Sequence, residues 1–272
     1  MTWEWDPTLF AGSAQHYPRG RMPYPARLAS VLQDALGLDG TGRLLDVGCG
    51  PGSLTALLAP LHASSVGIDA DPDMLAEAAR SSGAPRVVWR ALRAEDLPAD
   101  LGLFRTVTFA QSFHWMRQEE VADAVRGMLD EHGAWVHVAS MTHRGVDGDD
   151  PLPHPRPPWT RLDALVATYL GPVRRAGQGT LPGGTRSGED DVMRAAGYAG
   201  PERLVVSGGD AVPRSADDVL ASLLSMSSSA PHLFGDRLGA FAADVRAVLL
   251  DVAPDGMFSE RTHDVEVAVW RP

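Results

Sequence analysis

The chain contains no lysine; all 24 of its basic residues are arginine. The bias reads as the habit of a GC-rich genome rather than a use for the guanidinium group. There is one cysteine, Cys49, which excludes an intramolecular disulfide. It lies in a glycine-rich turn, where a small side chain is wanted more than a reactive one. No stretch approaches the roughly 18 apolar residues of a membrane span. The segment Met1-Thr2-Trp3-Glu4-Trp5-Asp6 has no basic region and no apolar run, so a secretory leader is not expected and the cytoplasm is the expected compartment. Positive charge is also scarce. A net charge of −11 and a pI near 5.2 argue against holding nucleic acid or an anionic membrane by a surface field. His132, His137, His143, His154, His232 and His263 show no paired metal-ligand spacing. His143 and His154 fall in a proline-rich loop and are expected to face solvent, so no metal is expected.

What is present is an ordinary globular balance, 44% hydrophobic and 22% charged. A length of 272 residues suits one large α/β domain with a sizeable insertion. Apolar residues at helical spacing mark 26–36, ending at Gly37. Strands are predicted at Arg43–Val47, Val66–Asp69, Arg86–Trp89, Val107–Ala110 and Gly133–Ala139. Helices are predicted at Ser53–Leu61, through Met74–Ala79, and at Gln118–Leu129. Such alternation demands right-handed crossovers and a parallel sheet covered on both faces. Residues 141–160 read as a loop and 161–200 as helix with glycine interruptions. Leu204–Ser207 could return to the sheet. Ser215 with Asp218 makes an acidic capping box ahead of a helix, Asp236–Leu250 is a further helix, and 258–270 reads as one long final strand.

The decisive segment is Leu44-Leu45-Asp46-Val47-Gly48-Cys49-Gly50-Pro51-Gly52. Glycines let backbone lie against a ligand, and the helix that follows offers unpaired N–H groups. A dinucleotide fingerprint, G-x-G-x-x-G/A, fits Gly48 and Gly50 but fails at Ser53, while the extra glycine falls at Gly52. Asp46 places a carboxylate at the loop entry. That charge is a liability beside a pyrophosphate and an asset beside the ammonium and sulfonium of S-adenosylmethionine. Asp69 closes the second strand, 21 residues after Gly48, where a carboxylate can accept from both ribose hydroxyls. Asp71, before Pro72, is the better helix cap. Ala94, Glu95 and Asp96 follow the third strand, where adenine would sit; a surface turn explains them as well.

These residues carry a resemblance. Leu45–Gly52 resembles motif I of class I S-adenosylmethionine-dependent methyltransferases, Gly67-Ile68-Asp69 resembles motif II, and Ala94–Pro98 is similar to the stretch after the third strand. Ala110-Gln111-Ser112-Phe113-His114-Trp115 resembles the fourth-strand segment of the branch with small-molecule acceptors, which includes trans-aconitate-methyltransferase-like proteins. Tyr17–Pro25 is similar to that branch's N-terminal Y-x-x-x-R-P-x-Y-P element. The likeness covers residues 10–140 well and the last strand more weakly. Two departures stand out: Arg105 where the family usually has Asp at the start of the fourth strand, and Asp130-Glu131-His132-Gly133 where it has Pro-Gly-Gly.

The resemblance implies a Rossmann-like, doubly wound seven-stranded α/β sheet with helical lid insertions. Residues 1–140 are then the cofactor-binding core with an N-terminal lid segment, and 141–272 the acceptor lid and last strands. It implies S-adenosylmethionine as cofactor, held by Tyr17, Arg21, Asp46, Gly48, Gly50, Gly52, Asp69, Ala70, Ala94, Glu95 and Gln111. Tyr17 offers an aromatic face to a sulfonium and Arg21 two prongs to a carboxylate; the plainer account of both is a surface arm. Ser112 is a further candidate contact, Trp3, Trp5 and Phe10 could extend the lid, and Ser225–Ser229 could line the acceptor pocket. His114, past the fourth strand, is the candidate base, or a wall of the pocket; Tyr17 is the second catalytic candidate. The expected reaction is methyl transfer to O, N or nucleophilic C of a small organic acceptor, with secondary metabolism as the expected setting. The rivals are a nicotinamide oxidoreductase, a nucleic-acid methyltransferase, which would favour a basic face and an N/D-P-P-Y/F element where this acidic chain has Gln111-Ser112-Phe113-His114, and an S-adenosylmethionine-binding protein without transfer.

Overall fold

A computed structural model describes residues 6–176, 179–181 and 188–272. The element order is α1 (Tyr17–Gly20), α2 (Arg27–Leu36), β1 (Arg43–Val47), α3 (Ser53–Leu58), β2 (Ser64–Asp69), α4 (Pro72–Ser81), β3 (Val87–Ala91), β4 (Phe104–Ala110), α5 (Gln118–Arg126) and β5 (Leu129–Ala139). There follow α6 (Trp159–Leu170), β6 (Arg174–Ala176), β7 (Gly179–Leu181), α7 (Glu189–Ala195), β8 (Ala199–Val206), β9 (Ala211–Ser215), α8 (Ala216–Leu224), α9 (Leu238–Val252), β10 (Met257–Arg261) and β11 (Val265–Arg271).

The main sheet has seven strands in the order β3-β2-β1-β4-β5-β11-β8. The first five are mutually parallel, as the strand–helix alternation predicts, whereas β11 runs antiparallel to both β5 and β8. Neighbouring residues on one strand serve opposite cores because side chains alternate across a sheet. Leu44 and Val136 pack with Leu28, Leu32, Leu54 and Leu58 on one face, and Leu45 and Trp135 with Phe109, Val121 and Val125 on the other. Both faces being apolar, the strands read as near-continuous hydrophobic runs.

Three expectations are corrected. The 161–200 segment is not one interrupted helix: Gly171-Pro172 stops α6, a short β6–β7 hairpin follows, and α7 leads into β8. Proline can neither continue the helix nor donate to it. The long final strand is two strands. Phe258 of β10 packs into a third apolar cluster with α6, α8 and α9, while Val265, Val267 and Val269 of β11 face the main sheet's core. The chain breaks at 262–264 because its two halves serve different cores, β10 pairing with β9 instead. β5 starts at Leu129, four residues before the predicted Gly133 and at the predicted end of the preceding helix, which stops at Arg126; the register slips between Phe104 and Thr106 on its partner strand, and a Cβ on Gly133 would come within 2.7 Å of Leu129 Cβ. The expected caps are present: Asp71 accepts from the Asp73 N–H, and Ser215 and Asp218 form the reciprocal box.

Candidate functional site

The strand order reverses between β1 and β4, and ligands of open α/β sheets bind outside the carboxyl ends of the strands at such a point. A cleft of about 1160 Å³, counted to its open mouth, lies there. Gly48, Gly50, Asp69, Ala70, Ala94 and Glu95 line it from the core side; Tyr17, Arg21 and Gln111 close it from above. Those expected contacts, scattered over 95 positions of sequence, are therefore brought to one cavity.

The glycines of the turn differ in task. A Cβ on Gly50 would meet nothing within 4 Å, so its backbone faces open space in the cleft. A Cβ on Gly52 would sit 2.4 Å from the Trp89 ring of β3. Gly52 is accordingly not a wall of the cleft, a correction to its expected role: the missing side chain makes room for Trp89.

Asp46 is also displaced from its expected place. It is 1% exposed, lies behind the turn, and accepts the hydroxyl protons of Thr55 at 2.5 Å and Thr108 at 2.7 Å. Burial raises its pKa and the two threonines oppose that. Asp46 thus reaches the cleft only through its field, which adds to the rise at Asp69. Cys49 is buried in the same turn with its thiol pushed up by burial, in keeping with a packing role.

Asp69 holds the cleft floor. Its Oδ2 accepts the Gly50 N–H at 2.8 Å and its Oδ1 the Asp71 N–H at 2.9 Å. Burial pushes its pKa up to about 6 against the pull of those two donors. Each oxygen keeps a further lone pair for a ligand. Glu95 is held by the Arg117 N–H at 3.1 Å and the Arg93 guanidinium at 3.4 Å. Ser112 lines the cleft while its hydroxyl donates to the Val47 carbonyl at 2.6 Å, tying the segment after β4 to the end of β1.

The N-terminal arm is fixed to the lid. The Arg21 guanidinium lies 4.6 Å over the Tyr17 ring and donates to Ser225 through Nε (2.8 Å, to Oγ) and a terminal nitrogen (2.9 Å, to the carbonyl). One face of Tyr17 is therefore covered by Arg21. Burial raises the Tyr17 pKa, so the phenol stays protonated. Phe10 meets Tyr17 and Trp115 edge-on at 6.2 and 5.6 Å. Trp3 and Trp5 lie outside the described residues. The anchors Ser225, Arg214 and Ser222 were not singled out for this task by sequence: the Gly20 carbonyl accepts from Arg214 at 3.0 Å and from Ser222 at 2.6 Å, seating the arm on α8. Arg214 in turn pairs with Glu260 at 3.1 Å, both about 3% exposed.

His114 does not line the cleft. It lines an adjoining chamber of about 2270 Å³ that shares Phe10, Tyr17, Arg21, Gln111 and Trp115 with it. Burial holds His114 down to about 4, a neutral imidazole at neutral pH. His143, expected to face solvent, lines the same chamber, and burial together with the charges of Arg21 and Arg144 lowers it to about 3. The signal for it was available: it follows the carboxyl end of β5, as His114 follows β4. Ser227 and Ser228 line the chamber as well. Among the described residues no cluster of three metal-ligating side chains occurs, and no helix is long and apolar enough to cross a membrane.

Comparison with known proteins agrees with this geometry. Residues 44–133 match the family model described as a methyltransferase domain. The chain is 32% identical over 186 residues to an uncharacterized methyltransferase of Mycobacterium tuberculosis, covering 61% of this chain and 74% of that one. It is 31% identical over 133 residues to trans-aconitate 2-methyltransferase of Streptomyces avermitilis, covering 48% of this chain and 45% of that one. In fold it is similar to the crystal structure of the N-methyltransferase NodS of Bradyrhizobium japonicum in complex with S-adenosyl-L-homocysteine. There the TM-score is 0.50, with 13% identity over 97% of this chain and 98% of the other.

Proposed function

We propose, from the premise that this chain belongs to the methyltransferase family, that it moves a methyl group from S-adenosylmethionine to an oxygen, nitrogen or nucleophilic carbon of a small organic acceptor. The observation that carries this reading is Asp69, a carboxylate at the end of β2 hydrogen-bonded to the glycine turn and lining the cleft at the switch point. The donor set suits the nucleoside. Gly50 leaves open backbone, Asp69 has acceptor capacity for two ribose hydroxyls, and Arg21 is a forked cation that, among the described residues, ion-pairs with no carboxylate. When bound, the cofactor supplies a methyl group activated by its sulfonium.

The chain's own residues do the rest. Asp69 and the turn fix the nucleoside, with Ala70, Ala94 and Glu95 beside the base. Arg21 holds the carboxylate, its side chain pre-set by Tyr17 and Ser225. Phe10, Trp115 and the arm exclude water from the wall shared by cleft and chamber. Holding an acceptor in line there is worth an effective molarity of roughly 10⁵ M or more. His114, uncharged at neutral pH, accepts the acceptor's hydrogen bond and takes its proton as the methyl moves. Tyr17, kept protonated, shapes the site and is no base. Secondary metabolism is the setting we infer.

Two alanine variants test the assignment. Asp69→Ala abolishes calorimetric binding of S-adenosylhomocysteine. His114→Ala binds it as the parent does but loses about 10²–10⁴-fold in methyl uptake, screened over phenols, amines, carboxylates and indoles. Unimpaired binding by Asp69→Ala contradicts the reading.

A further inference from the structure

The chamber beyond the shared wall has a character of its own. Counted to its open mouth it holds about 2270 Å³, twice the cleft measured the same way. Its lining includes Phe10, Trp115, Met141, Val146 and Met226. Met141 and Val146 stand 44% and 40% exposed in the loop after β5, where their apolar surface is in contact with water. That loop is a fixed wall. The Thr142 carbonyl accepts the Met22 N–H at 2.7 Å, the Gly145 N–H donates to Glu260 at 2.7 Å, and the Val146 N–H donates to the Arg261 carbonyl at 2.9 Å.

Two of the chamber's arginines are already paired with carboxylates. Arg175 pairs with Asp6 at 2.7 Å. Arg261 pairs with Asp150 and donates to the Gly209 carbonyl at 2.8 Å. Asp264 accepts the Gly208 N–H at 2.7 Å, and Glu266 adds a further negative charge to the lining. His114 and His143 are uncharged at neutral pH, held there by burial and, for His143, by the neighbouring arginines. Arg21 lines cleft and chamber alike and, already donating to Ser225, is assigned to the cofactor's carboxylate. A ligand with several carboxylates would meet paired arginines and carboxylates of its own sign, and an unpaired charge in a partly dry site is costly.

We propose that this chamber takes an acceptor with a large, mostly apolar ring body and at most one negative charge, its hydroxyl or amine turned to the imidazoles at the shared wall. The inference rests on the methyltransferase reading and narrows its substrate class.

The test loads the protein with S-adenosylhomocysteine, then titrates it with neutral three- and four-ring phenols (genistein, naringenin, estradiol) and with trans-aconitate. At least one phenol is expected to bind about tenfold or more tightly than trans-aconitate. Met141→Asp and Val146→Asp are expected to weaken that phenol by about tenfold, since they set a charge against an apolar body, and to leave S-adenosylhomocysteine affinity unchanged. Tighter trans-aconitate, no binding by any phenol, or indifference of both aspartate variants overturns the inference. Failure of S-adenosylhomocysteine to bind at the first step strikes the function reading instead.

Discussion

Asp69 accepts the Gly50 N–H at 2.8 Å, so the end of β2 and the middle of the turn after β1 form one hydrogen-bonded unit. Burial pushes the same half-buried carboxyl up to about 6, within reach of ordinary buffers.

That position sets a pH dependence. The ionised carboxylate accepts the ribose hydroxyls; protonation removes acceptor capacity and places an O–H there. Affinity for S-adenosylhomocysteine is therefore level above about pH 7 and falls as the pH drops through 6, by about tenfold per unit at the limit for one proton. Calorimetry from pH 5 to 8 reads it. Asp69→Asn binds weakly and without that slope; a parent curve flat across the range contradicts the assignment.

The turn glycines separate into a ligand position and a packing position. Gly52→Ala forces a Cβ against Trp89 at φ +78° and is expected to cost about 2–4 kcal/mol of stability. Gly50→Ala has room and pays only the left-handed strain, about 1 kcal/mol, yet it fills the ligand's space and weakens cofactor binding. Denaturant unfolding and S-adenosylhomocysteine titration of both variants should show opposite rankings.

The Arg214–Glu260 pair supports the arm from beneath. Glu260 also accepts from the Trp159 indole at 2.8 Å, and Arg214 from its side donates to Gly20. Arg214→Met leaves Glu260 buried without its cation, at an expected cost of about 3–5 kcal/mol. The paired change Arg214→Met with Glu260→Gln removes the buried charge while keeping an acceptor for the Trp159 indole and the Gly145 N–H, and should recover much of the stability. Cofactor affinity should stay reduced, because the Gly20 carbonyl still lacks its arginine. Full recovery of affinity by the double variant would show that the pair does not position the arm.

The core half of the fold was legible because its evidence is local. Strand–turn–helix alternation is written in periodicity, and the glycine turn and Asp69 each follow directly on a strand that the sequence marks. The orientation of Asp46 was not, since it depends on Thr55 and Thr108 from two other elements. Gly52 likewise answers to Trp89, 37 positions away. The last 130 residues were read least well. The split between β10 and β11 reflects which of two cores each half serves, and periodicity alone does not mark where an alternating run changes core. His143 was misplaced for a related reason: a proline-rich composition signals a loop but not whether the loop is folded against an arm.

The most direct measurement is a pair of calorimetric titrations of the whole chain, one with S-adenosylhomocysteine and one with NAD. The cleft built by Gly50, Asp69 and Arg21 should give a saturable one-to-one isotherm with the sulfur nucleoside and none with the dinucleotide. Saturable NAD binding with no heat from S-adenosylhomocysteine would contradict the account at its base.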